Sequence, residues 1–275
     1  MDKKYYSYPK ERLGEGRIPV KCLGDSGEVF SEIAHIMVDT IEENNKKGKK
    51  TVFICPVGPV GQYPIFVRLV KERNPSLANC WFFNMDEYLI TPEKRIDDDH
   101  FMSFHHRMKT ELYDRLSPDL TIPENQRFFP EPGQEAEYDR RMEQLGGVDL
   151  CLGGLGINGH IAFNEAPEAD DPITPDEFAA LPTRVLPITR ETRTVNAIGY
   201  QRGDIHGMPE YCITVGMKQI LAARRIYIAL NREWQHGIAR RALLGPQDAH
   251  VPASLLQRHG NVDFVATESI ARGIV

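Results

Sequence analysis

Several familiar signals are missing from this 275-residue chain, and each absence narrows the classes of function to consider. No apolar run approaches the roughly 18 residues of a membrane-spanning helix, so we expect no membrane association. The net charge is −6 and no dense block of lysine and arginine occurs, which disfavours nucleic-acid binding. The five cysteines are widely spaced without a CxxC pair, and the first residues lack the apolar core of a signal peptide. We therefore expect reduced thiols and a cytoplasmic protein.

The chain does contain a regular alternation of apolar strand patterns and helical patterns. Strands are predicted over 51–55, 79–83, 148–152, 225–230 and 262–267, and helices over 98–116, 214–223 and 233–243 among others. This alternation is typical of an α/β fold with a mostly parallel sheet, a Rossmann-like three-layer sandwich. We expect a single domain over 1–275. Five prolines between Pro167 and Pro187 predict a loop or lid over about 166–189, with at most a short helix.

The most unusual stretch is GGLGINGHIAFNE, from Gly153 to Glu165, which follows one of the predicted strands. Its glycines spell GxGxxG, the pattern that holds a dinucleotide pyrophosphate. A dinucleotide fold also needs a strand about twenty residues later that ends in an acidic residue, and a proline-rich segment stands there instead. The glycine pattern therefore predicts close approach of the backbone to a ligand, and no cofactor is expected.

Two places on the chain carry side chains suited to proton transfer. His160 stands on the glycine loop, with Asn158 before it and Glu165 after it, and a carboxylate that orients an imidazole is a common acid/base arrangement. Asp86 follows the predicted strand 79–83 among apolar and aromatic residues, in the predicted turn Asn84–Tyr88. Partial burial there would raise its pKa toward that of a useful base. Because ligands bind at the carboxyl ends of parallel strands, these groups are expected to converge.

A third turn, Pro56-Val-Gly-Pro-Val-Gly61, follows the strand 51–55 and has two interpretations. It could bind an anion through backbone N–H groups, or it could be a rigid turn between a strand and a helix. Its two prolines have no N–H group and it contains no hydroxyl side chain, so the sequence leaves both interpretations open.

Together, FNMDEY at 83–88 and GLGINGHIAFNE at 154–165 resemble the glucosamine-6-phosphate deaminase family. Weaker similarity extends to TRETR at 189–193, ITVG at 213–216 and VPASL at 251–255. The resemblance implies conversion of glucosamine 6-phosphate and water to fructose 6-phosphate and ammonia, without metal or cofactor. It also implies that Asp86 moves a proton between C2 and C1, and that His160 opens the sugar ring while Glu165 and Asn158 hold the imidazole.

The resemblance weakens at the phosphate end of the substrate. The family's PTGGTP loop is PVGPVG here, its lysine after the strand 225–230 is missing, and its arginine falls near Ile198. We therefore expect either a differently substituted amino sugar or replacement anion ligands. The expected substrate-binding residues are Gly58, Val60, Gly61, Gly156, Gly159, Arg202, Arg232 and His236.

Three alternatives stay open on the sequence. Related 6-phosphogluconolactonases have a similar glycine loop with a histidine but lack the FNE that ends this one. Sugar-responsive regulators use a related domain to sense phosphosugars, although residues 1–50 offer no helix-turn-helix pair. A catalytically silent paralogue is disfavoured by Asp86, His160 and Glu165.

The oligomeric state is not indicated by the sequence. Relatives occur as monomers and as hexamers, so a homo-oligomer is left open.

Overall fold

The computed structural model describes residues 3–272, so the two ends of the predicted domain 1–275 lie outside the described residues. Its strands are β1 Val20–Leu23, β2 Thr51–Cys55, β3 Cys80–Asn84, β4 Asp86–Thr91, β5 Lys94–Arg95, β6 Arg127–Phe128, β7 Leu150–Gly153, β8 Arg184–Pro187, β9 Tyr211–Thr214, β10 Ile226–Leu230 and β11 Val262–Thr267. Its α-helices are α1 Ser26–Lys46, α2 Gln62–Arg73, α3 Phe104–Glu111, α4 Glu135–Gln144, α5 Pro175–Ala179, α6 Arg190–Tyr200, α7 Met217–Leu221, α8 Gln235–Leu244 and α9 Glu268–Ala271. Short 3-10 helices cover Lys3–Ser7, Lys10–Glu15, Tyr113–Arg115, Glu124–Gln126 and Pro252–Arg258.

Seven strands form a parallel sheet in the order β1-β11-β10-β7-β2-β3-β6, which confirms the predicted α/β fold. Every residue of β2 is buried, so apolar side chains are needed on both faces of this strand. Phe53 packs into the core on one face with α1 and α2, and Ile54 packs into the core on the other face with α8. The predicted three-layer arrangement is therefore present.

The helix α1 shows how the local sequence fixes an element. Asp25 caps its first turn by accepting a hydrogen bond from the Glu28 backbone N–H at 3.0 Å. In return, the Glu28 carboxylate accepts from the Gly24 backbone N–H at 2.8 Å. The two bonds resemble a capping box, with the return bond displaced by one residue from its usual position.

Four shorter strands form a second, antiparallel sheet in the order β5-β4-β9-β8, which the sequence did not predict. The two sheets join at Met85, whose N–H donates to the Cys55 carbonyl at 2.9 Å and whose carbonyl accepts from the Val215 N–H at 2.8 Å. The predicted turn over Asn84–Tyr88 was therefore wrong. One residue separates β3 from β4, and Asp86 opens a strand rather than closing a turn.

Other boundaries also differ from the predictions, for related reasons. The helical pattern over 98–116 yields only α3 and a 3-10 turn, and the pattern over 214–223 splits into the end of β9 and the five-residue α7. The segment 166–189 contains the short helix α5, as allowed, but also the strand β8, which pairs with β9. Pairing with a partner strand overrode the local patterns.

The cysteines are free, and four of the five are buried, as expected of thiols that pack in a core. Within the described part of the chain, no helix is long and apolar enough to cross a membrane. The same residues contain no cluster of three or more side chains suited to holding a metal ion.

Candidate active site

The loops after β2, β7 and β10 meet at the carboxyl edge of the parallel sheet. A Cβ atom at Gly154 would lie 3.1 Å from the Gly58 carbonyl oxygen, so the first two loops are in contact. The Gln235 side chain joins the third loop, because its amide donates to the Leu155 carbonyl at 2.8 Å and accepts from the N–H groups of Asn231 and Arg232. This is the edge where ligands bind in open α/β sheets.

The imidazole of His160 is held from its Nδ1 side by the two residues that the sequence indicated. Nδ1 lies 2.9 Å from Asn158 Oδ1 and 3.1 Å from Glu165 Oε2. The Asn158 amide also donates to Glu165 Oε2 at 2.6 Å, which closes a small ring of hydrogen bonds. Two acceptors at Nδ1 favour a proton on that nitrogen, and Nε2 then carries the lone pair.

Two threonines of the α6 segment complete this network, and sequence reasoning did not assign them to the site. Thr189, the N-cap of α6, lies 3.2 Å from Glu165 Oε2, and Thr192 donates to the same oxygen at 3.0 Å. The Thr192 hydroxyl also lies 3.3 Å from His160 Nδ1. The signal that could have found them is the TRETR similarity at 189–193.

Glu165 is buried, with only 6% of its surface exposed, and yet it is stabilised as an anion. Burial alone would raise its pKa, but the charge of His160 and hydrogen bonds from His160, Asn158 and Thr192 hold the pKa below its ordinary value. A carboxylate in this state fixes the orientation of an imidazole and stabilises its protonated form.

Glycine is required beside this imidazole for a steric reason. A Cβ atom at Gly156 would lie 1.9 Å from His160 Nε2, so any other residue would displace the ring. Gly159 has a positive φ of 87°, which places it in the left-handed region that glycine favours. The glycine-rich pattern therefore serves the histidine rather than a dinucleotide.

Asp86 has the environment of a base kept out of water. It is 6% exposed, and its side chain makes no hydrogen bond with any other residue in the range 3–272. Burial raises its pKa well above the ordinary value of 3.8, and the neighbouring Glu87 raises it further. The carboxylate is therefore basic, and it is free to accept a proton from a bound molecule.

The adjacent carboxylate, Glu87, has a structural role instead. It is fully buried and accepts hydrogen bonds from the N–H groups of Tyr88, Phe104 and His105 and from the Ser103 hydroxyl, each at 2.9 Å. Three of these four donors belong to Ser103–His105, at the start of α3, where a negative charge is favourable. Successive residues of a strand point to opposite sides, which explains the different roles of Asp86 and Glu87.

The end of β9 ties the base to the histidine loop. Thr214 is the β-ladder partner of Asp86, and its hydroxyl accepts from the Phe163 N–H at 3.0 Å. The Phe163 ring lies 6.0 Å from the His160 ring, between centroids. Thr214 therefore links Asp86 to the histidine loop, although the two motifs are distant in sequence.

The three candidate anion ligands differ in position. Arg232 is exposed on the loop after β10, at the same edge as the histidine loop. Arg202 is also exposed but lies beyond the C-terminal end of α6, and that end is about 12 Å along the helix axis from Thr192. The sequence-based assignment of His236 is contradicted, because its ring nitrogens lie 2.9 Å and 3.2 Å from the Ile270 and Tyr6 carbonyl oxygens in the interior.

The loop over Gly58–Gly61 offers a ligand backbone groups but no polar side chain. Gly58 is exposed, Val60 is half-buried, and Gly61 lies so close to the Phe30 ring that a Cβ atom there would meet it at 2.3 Å. The adjoining Gln62 side-chain amide donates to the Pro59 carbonyl at 2.8 Å. The loop's side chains therefore offer a ligand an apolar surface.

No family model matches the chain, but its sequence is similar to those of curated glucosamine-6-phosphate deaminases. It is 28% identical over 251 residues to a glucosamine-6-phosphate deaminase of Clostridium perfringens, covering 88% of this chain and 96% of the relative. It is 30% identical over 216 residues to one of Halothermothrix orenii, covering 78% and 83%.

Solved structures agree with these relatives. A monomeric glucosamine-6-phosphate deaminase superposes with a TM-score of 0.78 at 26% identity, covering 92% of this chain and 99% of that chain. A 6-phosphogluconolactonase from Trypanosoma cruzi has a TM-score of 0.65 at 15% identity, covering 92% and 96%, and shares the fold. With relatives of this identity and coverage, the chain belongs to the glucosamine-6-phosphate deaminase family.

Proposed function

We propose that this protein is an amino-sugar deaminase that works by an aldose–ketose shift. The observation that carries the proposal is the pairing of a buried, unpartnered Asp86 carboxylate with an imidazole oriented by Glu165. The reaction needs one base beside two adjacent carbons and a second acid/base group at the ring oxygen. The site offers one group of each kind.

The chemistry can be assigned to these groups step by step. His160 Nε2 takes the proton of the sugar's C1 hydroxyl and delivers a proton to the ring oxygen, which opens the pyranose. Asp86 then removes the C2 proton and returns it to C1, while one proton of the C2 amino group passes to the C1 oxygen. This leaves a hydroxyl group at C1 and an imine at C2. Water adds to that imine and ammonia departs, so an amino sugar and water become a ketose and ammonia.

His160 and Glu165 act as one unit in this scheme. The imidazole becomes positively charged when it holds the transferred proton, and Glu165 Oε2, 3.1 Å from Nδ1, stabilises that charge. Asn158 adds an amide that orients the ring without adding a second negative charge. The N–H groups of Gly156 and Gly159 donate to the carbonyls of His160 and Gly156 at 2.9 Å and 3.0 Å, so they shape the histidine loop and are not free for the opened sugar.

The natural substrate is proposed to carry its distinguishing group near the loops after β2 and β10. Arg232 is the candidate for an anionic group there, because it shares that edge with the histidine loop. A neutral or apolar substituent would instead contact the Val60 side of the Gly58–Gly61 loop. The buried thiols fit the expected reducing, cytoplasmic setting.

The decisive test is ammonia release from the purified protein with glucosamine 6-phosphate, with glucosamine and with other C6-substituted amino sugars. Turnover of any of them supports the proposal, and the ratio of kcat/KM between phosphorylated and neutral sugars identifies the substituent. Binding without ammonia release from any member of the panel would favour a sugar-sensing domain. Release of acid from 6-phosphogluconolactone alone would favour a lactonase.

A further inference from the structure

A cavity of about 290 Å³, separate from the candidate active site, lies between β6, the segment that follows β6, and α4. None of its lining residues belongs to the loops that form the candidate active site. The lining consists of Arg95, His105, Arg127, Phe128, Phe129, Glu131, Gln134, Glu137, Tyr138 and Arg141. The proposed function does not use this cavity.

The lining carries more positive than negative charge. Three arginines stand against two glutamates, and one of the arginines has no carboxylate partner among residues 3–272. That residue is Arg127, whose Nε and Nη2 atoms donate to the Ile122 carbonyl at 2.8 Å and 2.6 Å. A backbone carbonyl satisfies its hydrogen bonds but leaves its charge uncompensated.

The other two arginines are held in place by carboxylates. Arg95 contacts Asp98 at 2.7 Å and Glu131 at 3.1 Å, and Arg141 contacts Glu137 at 2.9 Å. Burial raises the pKa of Glu131, and the charge of Arg95 opposes that shift. These ion pairs preorganise Arg95 and Arg141, and Arg127 is the arginine of the lining whose charge has no carboxylate partner among residues 3–272.

Two further nitrogens at this cavity lack partners in the described part of the chain. They are Arg95 Nη1 and His105 Nδ1, both buried. His105 Nδ1 lies 3.6 Å from the nearest Asp98 oxygen, too far for a hydrogen bond. Arg95 Nη1 is a donor, and a buried donor without a partner is costly, so an acceptor group that reached it would be stabilising.

The remaining surface suits a small organic body. Phe128, Phe129 and Tyr138 provide aromatic area, while Glu137 and Gln134 can accept hydrogen bonds from hydroxyl groups. Arginine forks match the tetrahedral oxygens of a phosphate group, and three arginines in one cavity suit a dianion. We propose that this cavity is a binding site for a small phosphate monoester with a hydroxylated carbon body.

The test uses the tryptophan that lies behind the cavity. The chain has two tryptophans, and the Trp81 ring is parallel to the Phe128 ring at 6.0 Å between centroids. In a Trp234→Phe background, emission comes from Trp81 alone. Glycerol 3-phosphate is titrated while fluorescence is recorded, with glycerol and with sodium chloride at matched ionic strength as references.

A matched pair of variants identifies the site. Arg140 and Arg141 both contact Glu137 and both lie on the exposed side of α4, but only Arg141 lines the cavity. We expect a saturable Trp81 response that Arg141→Ala weakens at least about tenfold in Kd, the loss of one charge-assisted contact. Arg140→Ala should change Kd by less than about threefold.

Three results would overturn the proposal: no saturable response beyond the salt reference, equal effects of the two variants, or an unchanged Kd in Arg141→Ala. Because both arginines are exposed ion-pair residues, both variants should keep the fold, and circular dichroism verifies this. The outcome is independent of ammonia release, so the cavity and the proposed function can fail separately.

Discussion

Replacement of Asp86 by asparagine should abolish turnover and make the folded protein more stable at the same time. Loss of a general base typically costs about 10²–10⁴ in rate, and no other carboxylate can substitute, because Glu87 is bound to the start of α3. The gain in stability follows from the environment of the carboxylate, which is 6% exposed and has no hydrogen-bond partner within residues 3–272.

The gain in the free energy of unfolding should depend on pH, because only the wild type carries a titratable group at position 86. A buried charged group without a partner costs about 1–3 kcal/mol or more, so the variant should be about 1–3 kcal/mol more stable at pH 8. Since the pKa of Asp86 is raised above 3.8 in the folded chain, the unfolded chain releases this proton at a lower pH than the folded chain. The free energy of unfolding of the wild type therefore falls as the pH rises above 3.8, and the difference from the variant grows with pH.

Thermal unfolding between pH 4.5 and pH 8, followed by circular dichroism, measures this difference. A shift of about 2–4 °C in Tm per kcal/mol predicts an increase of about 2–12 °C at pH 8 and a smaller increase at pH 4.5. Asp119→Asn, at an exposed turn, is the matched control and should shift Tm little at either pH. A variant that is less stable than the wild type at pH 8, or that keeps most of its ammonia release, would refute this account of Asp86.

The remaining predictions concern the histidine network and the anion end. Thr192→Val should lower kcat about tenfold and move the acid limb of the pH profile to higher pH, because Glu165 loses a hydrogen-bond donor that holds its pKa down. Thr194, whose hydroxyl donates to the Arg190 carbonyl, is the control, and Thr194→Val should change neither kcat nor the pH profile. Gly156→Ala should lower kcat/KM at least about a hundredfold because the new Cβ displaces the imidazole, while Gly260→Ala, in open space, should have no effect. Arg232→Ala should raise KM about tenfold for phosphorylated sugars and leave KM for neutral sugars unchanged. Arg202→Ala is the control and should change KM for neither kind of sugar. Equal effects of Arg232→Ala on charged and neutral sugars would reject Arg232 as an anion ligand.

The sequence predicted the parallel sheet and the catalytic candidates for the same physical reason. Buried strands such as β2 need apolar residues on both faces, and glycine beside His160 is a steric requirement, so both leave clear patterns. The second sheet left none, since β5 has two residues and β8 contains a proline. Such short elements depend on pairing, which a single sequence does not display.

Tertiary contact also explains which site residues could not be assigned. Thr189 and Thr192 bond Glu165 from the first turn of α6, beyond the proline-rich segment. Apart from the TRETR similarity, nothing local distinguishes them from ordinary helix-capping residues. The error at His236 has the same origin. Its proximity in sequence to Arg232 suggested a shared role, but helix α8 turns its ring toward the carbonyls of Tyr6 and Ile270.

The junction at Met85 has a consequence for how this enzyme could move. Asp86 is held by its ladder pairing with Thr214, and the loop that carries His160 is held by hydrogen bonds from Phe163 to Thr214 and from Asn164 to the Val215 carbonyl. The two proton-transfer groups therefore share an anchor at Thr214 and Val215, although the histidine loop is also held by Gln235 through the Leu155 carbonyl. A change at the end of β9 would therefore act on the base and on the imidazole loop at once, which couples the two proton-transfer groups through the small sheet.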